Sequence, residues 1–169
     1  MKKIALILAV SCIALLSACG NGDKKENEIK LVPSEYDLSK SGLSMVVSAP
    51  SEPIVENPAA GIYNLKCSNE FQIDIVEGEG NVEQIKKDIA GNEVNKFQRY
   101  VEEEDNALLY ESKILDSEFH FYFILKAGKT TYEIQDKKGD KIYTEEQAMA
   151  MFDAAKKFRV IETATVVKE

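Results

Sequence analysis

The chain has 169 residues, with 29 acidic and 21 basic side chains, a net charge of −8 and a single histidine. Phosphate backbones are bound by clustered Lys and Arg; here the basic residues are interleaved with more numerous acids, so nucleic acid and anionic headgroups are poor partners. Three cysteines are too few and too scattered for a disulfide framework, and a chain of this length buries about two thirds of its unfolded surface without one.

At the N-terminus Lys2 and Lys3 precede an apolar run, Ile4 to Leu16, which ends in Leu16-Ser17-Ala18-Cys19. The run is shorter than the roughly 20 residues that a hydrocarbon-spanning helix needs, so it reads as a cleaved export signal over residues 1–18. Small residues at 17 and 18 admit a peptidase. The segment resembles that of bacterial lipoproteins processed by signal peptidase II. The resemblance implies that Cys19 becomes the mature N-terminus, carrying diacylglycerol and usually a further acyl chain such as palmitate. Two or three chains, at about 0.8 kcal/mol per buried methylene, make a stable membrane anchor. Gly20 stands where lipoproteins retained at the inner membrane often have Asp, which points to the outer membrane if the host is Gram-negative. Cleavage also removes Cys12, which leaves Cys67 as the one thiol of the mature domain and predicts it to be a small buried hydrophobe.

Residues 19–41 are polar and mixed in charge and read as a flexible tether, with Ile29 to Leu38 able to dock locally. A single domain is expected over 42–160, followed by a tail at 161–169. Leu43, Met45, Val47 and Ala49 alternate with polar or smaller neighbours, giving a half-buried strand closed by Pro50. Pro50, Pro53, Pro58 and Gly61 predict an irregular crossing from Ser51 to Ala60. Ile62 to Cys67, a turn at Ser68-Asn69, and Phe71, Ile73 and Ile75 make a hairpin. Asn81 with Gln84 three residues on is the signature of a capped helix carrying Val82, Ile85 and Ile89 on one face, stopped by Gly91. Strands follow from Phe97 to Glu103 and Leu108 to Ile114. The strongest alternation begins at Glu118: Phe119, Phe121, Phe123 and Leu125 share one face, and His120, Tyr122 and Ile124 the other. A turn at Ala127-Gly128-Lys129 leads to a strand marked by Tyr132 and Ile134, and Asp136 to Asp140 reads as a charged loop.

Thr144 and Gln147 form the capping-box signature of a final helix, with Ala148, Met151, Phe152, Ala155 and Phe158 at helical spacing. The expected class is therefore α+β: an antiparallel sheet of about six strands with one short and one long C-terminal helix packed on it. This order of elements resembles the PsbP-like α/β/α sandwich, a fold shared by small exported proteins of varied role, and the resemblance implies helices on both faces of one sheet.

His120 lies beside Glu118 and Tyr122 on the face opposite the phenylalanines. Its imidazole could serve as a base for a Ser or for Cys67 brought close by folding, but neither His120 nor Cys67 stands in a catalytic signature. Zinc sites need several His or Cys ligands, and neither Glu102-Glu103-Glu104-Asp105 nor Asp136 to Asp140 has the spacing of a calcium loop, so no metal or cofactor is expected. Gly78-Glu79-Gly80 reads as a turn and not a phosphate cradle. Six of the seven tyrosines, at 63, 100, 110, 122, 132 and 143, supply amphipathic rings. The leading expectation is a non-enzymatic envelope lipoprotein that binds an envelope protein or a small ligand. An envelope hydrolase using dispersed carboxylates is the alternative, and an anchored inhibitor or immunity-type protein a third reading. The hydrolase predicts a deep pocket with two or more carboxyl groups, the protein-binding module an exposed aromatic patch.

Overall fold

Side chains along Ser117–Ala127 point alternately to two different apolar clusters: Phe121 and Phe123 to a large one, Tyr122 and Ile124 to a small one on the opposite face. This computed structural model describes residues 33–139 and 141–161; the signal segment, Cys19, most of the expected tether and the tail after Ile161 lie outside the described residues. The described strands are β1 (Ser34–Asp37), β2 (Met45–Ala49), β3 (Ile54–Ala59), β4 (Ile62–Lys66), β5 (Gln72–Glu77), β6 (Lys96–Glu104), β7 (Ala107–Lys113), β8 (Ser117–Ala127), β9 (Thr130–Asp136) and β10 (Arg159–Val160). Two α-helices accompany them, α1 (Val82–Ala90) and α2 (Glu145–Ala155).

The class is α+β, with the longer helix C-terminal, and every strand pair is antiparallel. The strand count exceeds the expected six. A seven-stranded sheet runs in the order β3-β4-β5-β9-β8-β7-β6, and a separate three-stranded sheet in the order β1-β2-β10. Three local readings are corrected. The Ser51–Ala60 crossing contains β3, an edge strand on β4 whose register breaks between Glu56 and Ala59; Pro58 sits in that break, and an edge or a bulge is where a strand tolerates proline. The tether reading of 19–41 fails from Ser34 onward, because β1 pairs with β2 and Leu38 is buried in the core, its N–H donating to Met45 O at 2.9 Å. At the other end Val160, at the limit of the expected domain, pairs with Met45, and the Ile161 N–H donates to Ser44 O.

α2 lies between the two sheets, against β8 on one side and β2 on the other. That position explains why Ala148, Met151, Phe152, Ala154 and Ala155 are all buried, more of the helix than a single stripe. Phe152 packs on Phe121 with ring centroids 6.0 Å apart, and Lys156 Nζ lies 4.1 Å from the Phe152 ring centre while pairing with Glu102 and Glu104. The capping box is formed on both sides: Thr144 Oγ1 accepts from the Gln147 N–H, and Gln147 Oε1 from the Thr144 N–H. α1 occupies the other face of the large sheet, where Val82 and Ile89 join Leu108, Tyr122 and Ile124 in the small cluster.

Because α2 is enclosed by two sheets, truncation within it should cost more than loss of its cap. Phe152→Ala is expected to destabilise the domain by about 3 to 5 kcal/mol. Thr144→Ala is expected to cost about 1 kcal/mol. Urea unfolding of the two variants checks the ranking.

Candidate functional site

The start of α1 is fixed tightly to the sheet. Gly80 adopts φ +62° and its N–H donates to Glu133 Oε1 at 3.3 Å, while Tyr122 O–H donates to Glu133 Oε2 at 2.7 Å. A side chain at Gly78 would collide with the Glu133 carboxylate. The Gly78-Glu79-Gly80 stretch is thus a turn whose Gly80 N–H is taken by a protein carboxylate. Asn81 Oδ1 then accepts from the Gln84 N–H at 3.0 Å and opens the helix. After nine residues α1 stops at Ala90, with Gly91 as its C-cap, before it has covered the whole sheet face.

The uncovered part is a cavity of about 340 Å³. One wall is the C-terminal half of α1 and the turn after it, with Ile85, Ile89, Asn92 and Asn95. The sheet contributes Tyr110, Glu118, His120, Tyr122 and Gln135. The loop after β9 contributes Lys137, Lys138, Gly139 and Lys141. This loop is held against the sheet by Lys137 N–H to Gln72 O at 3.0 Å and by Phe119 N–H to Tyr143 O at 3.1 Å.

His120 is held by a residue that the sequence reading left in a loop. Asp136 is the last residue of β9 and is buried, its side chain 3% exposed. The pairing of β8 with β9 ends at Tyr122↔Gln135, and one position further the Asp136 carboxylate takes over as acceptor. Its Oδ1 accepts from the Phe121 N–H and its Oδ2 from His120 Nδ1, each at 2.8 Å. With the proton on Nδ1, the ring's other nitrogen is turned from Asp136. Nε2 is buried, has no hydrogen-bond partner among the described residues, and lies 3.6 Å from Glu118 Oε2, beyond hydrogen-bonding distance. Asn95 Oδ1, on the facing wall, is likewise buried without a partner. An unpaired buried polar atom costs roughly 1 to 3 kcal/mol; Ser112 Oγ and Tyr143 Oη, which do not line the cavity, are unpaired as well.

The electrostatics follow from this packing. Burial disfavours a charged His120, but the hydrogen bond and charge of Asp136 and the charge of Glu118 outweigh it, and His120 titrates above the ordinary histidine value despite opposition from Lys138. Burial likewise raises Tyr110, whose ring stacks obliquely on His120 with centroids 5.3 Å apart, and burial with Glu133 raises Tyr122. Both phenols therefore remain donors at neutral pH.

Other candidates fall elsewhere. Cys67 is half-buried against the main core, its Sγ donating to Ser51 O at 3.3 Å, and burial raises its pKa; it does not line the cavity. Three of the four acids of the 102–105 segment are paired with lysines: Lys156, just after α2, bridges Glu102 and Glu104, and Lys86 of α1 bridges Glu103 and Glu83. Among the described residues no three His, Cys, Asp or Glu side chains are grouped to hold a metal ion. The sequence brought Glu118, His120 and Tyr122 together correctly, but missed Asp136, Asn95 and the lysine loop as their companions. The signal for Asp136 was available: it continues the Tyr132, Ile134 alternation, which places a carboxylate where the strand faces the core. Comparison with protein-family models and with curated proteins gives no match for this chain.

A histidine whose native pKa is raised stabilises the fold fully below its unfolded pKa of about 6.5, and that contribution is lost as pH rises through the native pKa. The urea midpoint should therefore fall as pH increases above about 6.5. His120→Gln should flatten this slope, measured against wild type in parallel urea titrations.

Proposed function

We propose that this chain is a lipid-anchored lipoprotein of the bacterial envelope whose α+β domain is a non-enzymatic binding module, with the His120 cavity as its small-ligand pocket. The observation that carries the binding reading is the coincidence of the cavity with two buried, unpaired polar atoms, His120 Nε2 and Asn95 Oδ1. Its size lies at the lower end of the roughly 300 to 1,000 Å³ of small-molecule sites. An apolar side chain supports the same reading: the exposed Ile114 lines the cavity. A protein partner fits less well. The large exposed hydrophobics among the described residues are aliphatic, and Tyr63, Tyr122, Tyr132 and Tyr143 are buried, which is not the aromatic patch of a protein-docking face.

The anchoring half of the proposal rests on Leu16-Ser17-Ala18-Cys19 and its resemblance to lipoprotein signals, and Gly20 supports the outer membrane in a Gram-negative host. No described helix is long and apolar enough to cross a membrane. Helices on opposite faces of one antiparallel sheet support the likeness to the PsbP-like sandwich, which carries no function by itself.

A hydrolase is the second reading, favoured by Asp136 and His120 sharing the cavity with Glu118 and Asp88. A carboxylate on Nδ1 is how a general-base histidine is oriented. The cavity lining contains no Ser, Thr or Cys, so such a hydrolase would work through its carboxylates and an activated water.

Metabolic labelling with a fatty-acid probe tests the anchor. The wild-type chain should be tagged and recovered with membranes, and Cys19→Ser should be untagged and released. An untagged wild-type chain, or a tagged Cys19→Ser variant, contradicts lipidation at this residue.

A further inference from the structure

We propose that one end of the seven-stranded sheet is a second, reversible contact with the membrane, docking exposed aliphatic side chains into a zwitterionic lipid surface; the proposal rests on the lipid-anchor reading above. Register places the strand ends. Ile54 pairs with Lys66, Lys66 with Gln72, Asp74 with Gln135 and Gln135 with Tyr122, while Lys113 pairs with both Ser117 and Lys96. The starts of β3, β5, β6 and β8 and the ends of β4, β7 and β9 therefore lie together. All five large hydrophobic side chains exposed among the described residues belong to this end. Ile54 begins β3, Val94 stands two residues before β6, Ile114 and Leu115 lie between β7 and β8, and Ile142 precedes Tyr143, whose carbonyl accepts from the Phe119 N–H near the start of β8. Leu115 is 85% and Val94 72% exposed. Exposed hydrophobics scattered singly are ordinary, but five at one end, with none at the other among the described residues, mark a surface that meets something apolar.

Three features select lipid as the occupant. The side chains are aliphatic, and Val94, Ile114, Leu115 and Ile142 stand on the connections between elements and not on a flat sheet face, unlike the aromatic patch of a protein interface. Charge is the second. Segments 92–96, 113–117 and 137–142 hold five lysines, at 96, 113, 137, 138 and 141, against Glu93, Asp116 and Asp140, so these connections are locally basic in a chain of net charge −8. None of the five lysines is in an ion pair among the described residues. A lysine stem lies along apolar surface while its ammonium reaches a headgroup phosphate, which zwitterionic lipids also carry. The third is where the anchored segment enters. Ser34 pairs with Ala49; two residues on, Ser51 O accepts from Cys67 Sγ, and Cys67 follows Lys66, the residue opposite Ile54. The chain thus joins the domain at this same end, and Cys19 is fifteen residues before Ser34, at most about 50 Å of chain. An anchor makes the second contact intramolecular, so a few apolar side chains that would not hold a free protein suffice. Lys137, Lys138 and Lys141 also line the cavity, so docking holds the cavity beside the headgroups.

The chain contains no tryptophan, so a single introduced one reports its own surroundings. Leu115→Trp, Val94→Trp and, as the control, Lys129→Trp in the exposed β8–β9 turn at the opposite end are each made in the full-length chain. Each anchored protein is purified from bacterial membranes and reconstituted into phosphatidylcholine and phosphatidylethanolamine vesicles containing lipid brominated near the glycerol end of its acyl chains. Apolar groups docked at the interface sit about 5 to 10 Å into the boundary between headgroups and acyl chains. The Leu115→Trp and Val94→Trp emissions should therefore be blue-shifted and quenched, and that of Lys129→Trp neither. Protein that stays with the vesicles but is unquenched in Leu115→Trp and Val94→Trp, or equally quenched in all three variants, overturns the docking and leaves the anchor standing. Protein that does not stay with the vesicles overturns the anchor and the docking with it. A blue shift of Leu115→Trp in the Cys19→Ser chain without lipid, growing with protein concentration, assigns this end to a second copy and overturns the lipid surface.

Discussion

A single buried carboxylate decides how the cavity end of this domain is built. Asp136 closes β9 at the point where its ladder with β8 runs out, and its two oxygens do different jobs: one satisfies the Phe121 backbone, the other fixes His120. The first bond lets β8 continue beyond its partner without an orphaned N–H. The second makes a surface-side histidine into an oriented one, with its remaining nitrogen presented away from the carboxylate. A carboxylate this deep is costly to bury unless both oxygens are bonded, and here they are. Removing it would therefore disturb the strand end and the imidazole together.

The rest of the architecture divides labour between the two faces of β8. The face bearing Phe121 and Phe123 is sealed by α2 and the small three-stranded sheet, and supplies most of the apolar burial. The face bearing His120, Tyr122 and Ile124 has only the nine-residue α1 to cover it. Since α1 is pinned at its start by Gly80, Asn81 and Glu133, its shortness leaves the opposite end of that face open. The cavity is thus a consequence of helix length and of where the helix is tied down. Its polar lining is tolerable because α2 and the other face carry the burden of stability.

Much of this was legible in the sequence, where local rules dominate. Both helix caps, the hairpin turn at Gly128 and the two-faced alternation of β8 follow from residue spacing, and each is found where the spacing puts it. What escaped had long-range causes. β3 is a strand because β4 offers an edge, and its prolines hide that from any local rule. β1 carries little apolar character of its own and is held by β2 and the burial of Leu38. Asp136 looked like the first residue of a charged loop, because its partners, Phe121 and His120, lie on another strand. Asn95 and Lys141 reach the cavity only once the sheet has brought the end of α1 beside the β9 loop.

The central claim, that Asp136 holds His120 with its proton on Nδ1 and leaves Nε2 without a protein partner, is tested most directly by the ¹⁵N shifts of the one imidazole ring. At a pH high enough for the ring to be neutral, the account predicts a protonated Nδ1 whose resonance moves markedly in Asp136→Asn, and an Nε2 with the shift of an unprotonated nitrogen. A neutral ring protonated on Nε2, or a ring unaffected by the Asp136 substitution, would contradict it.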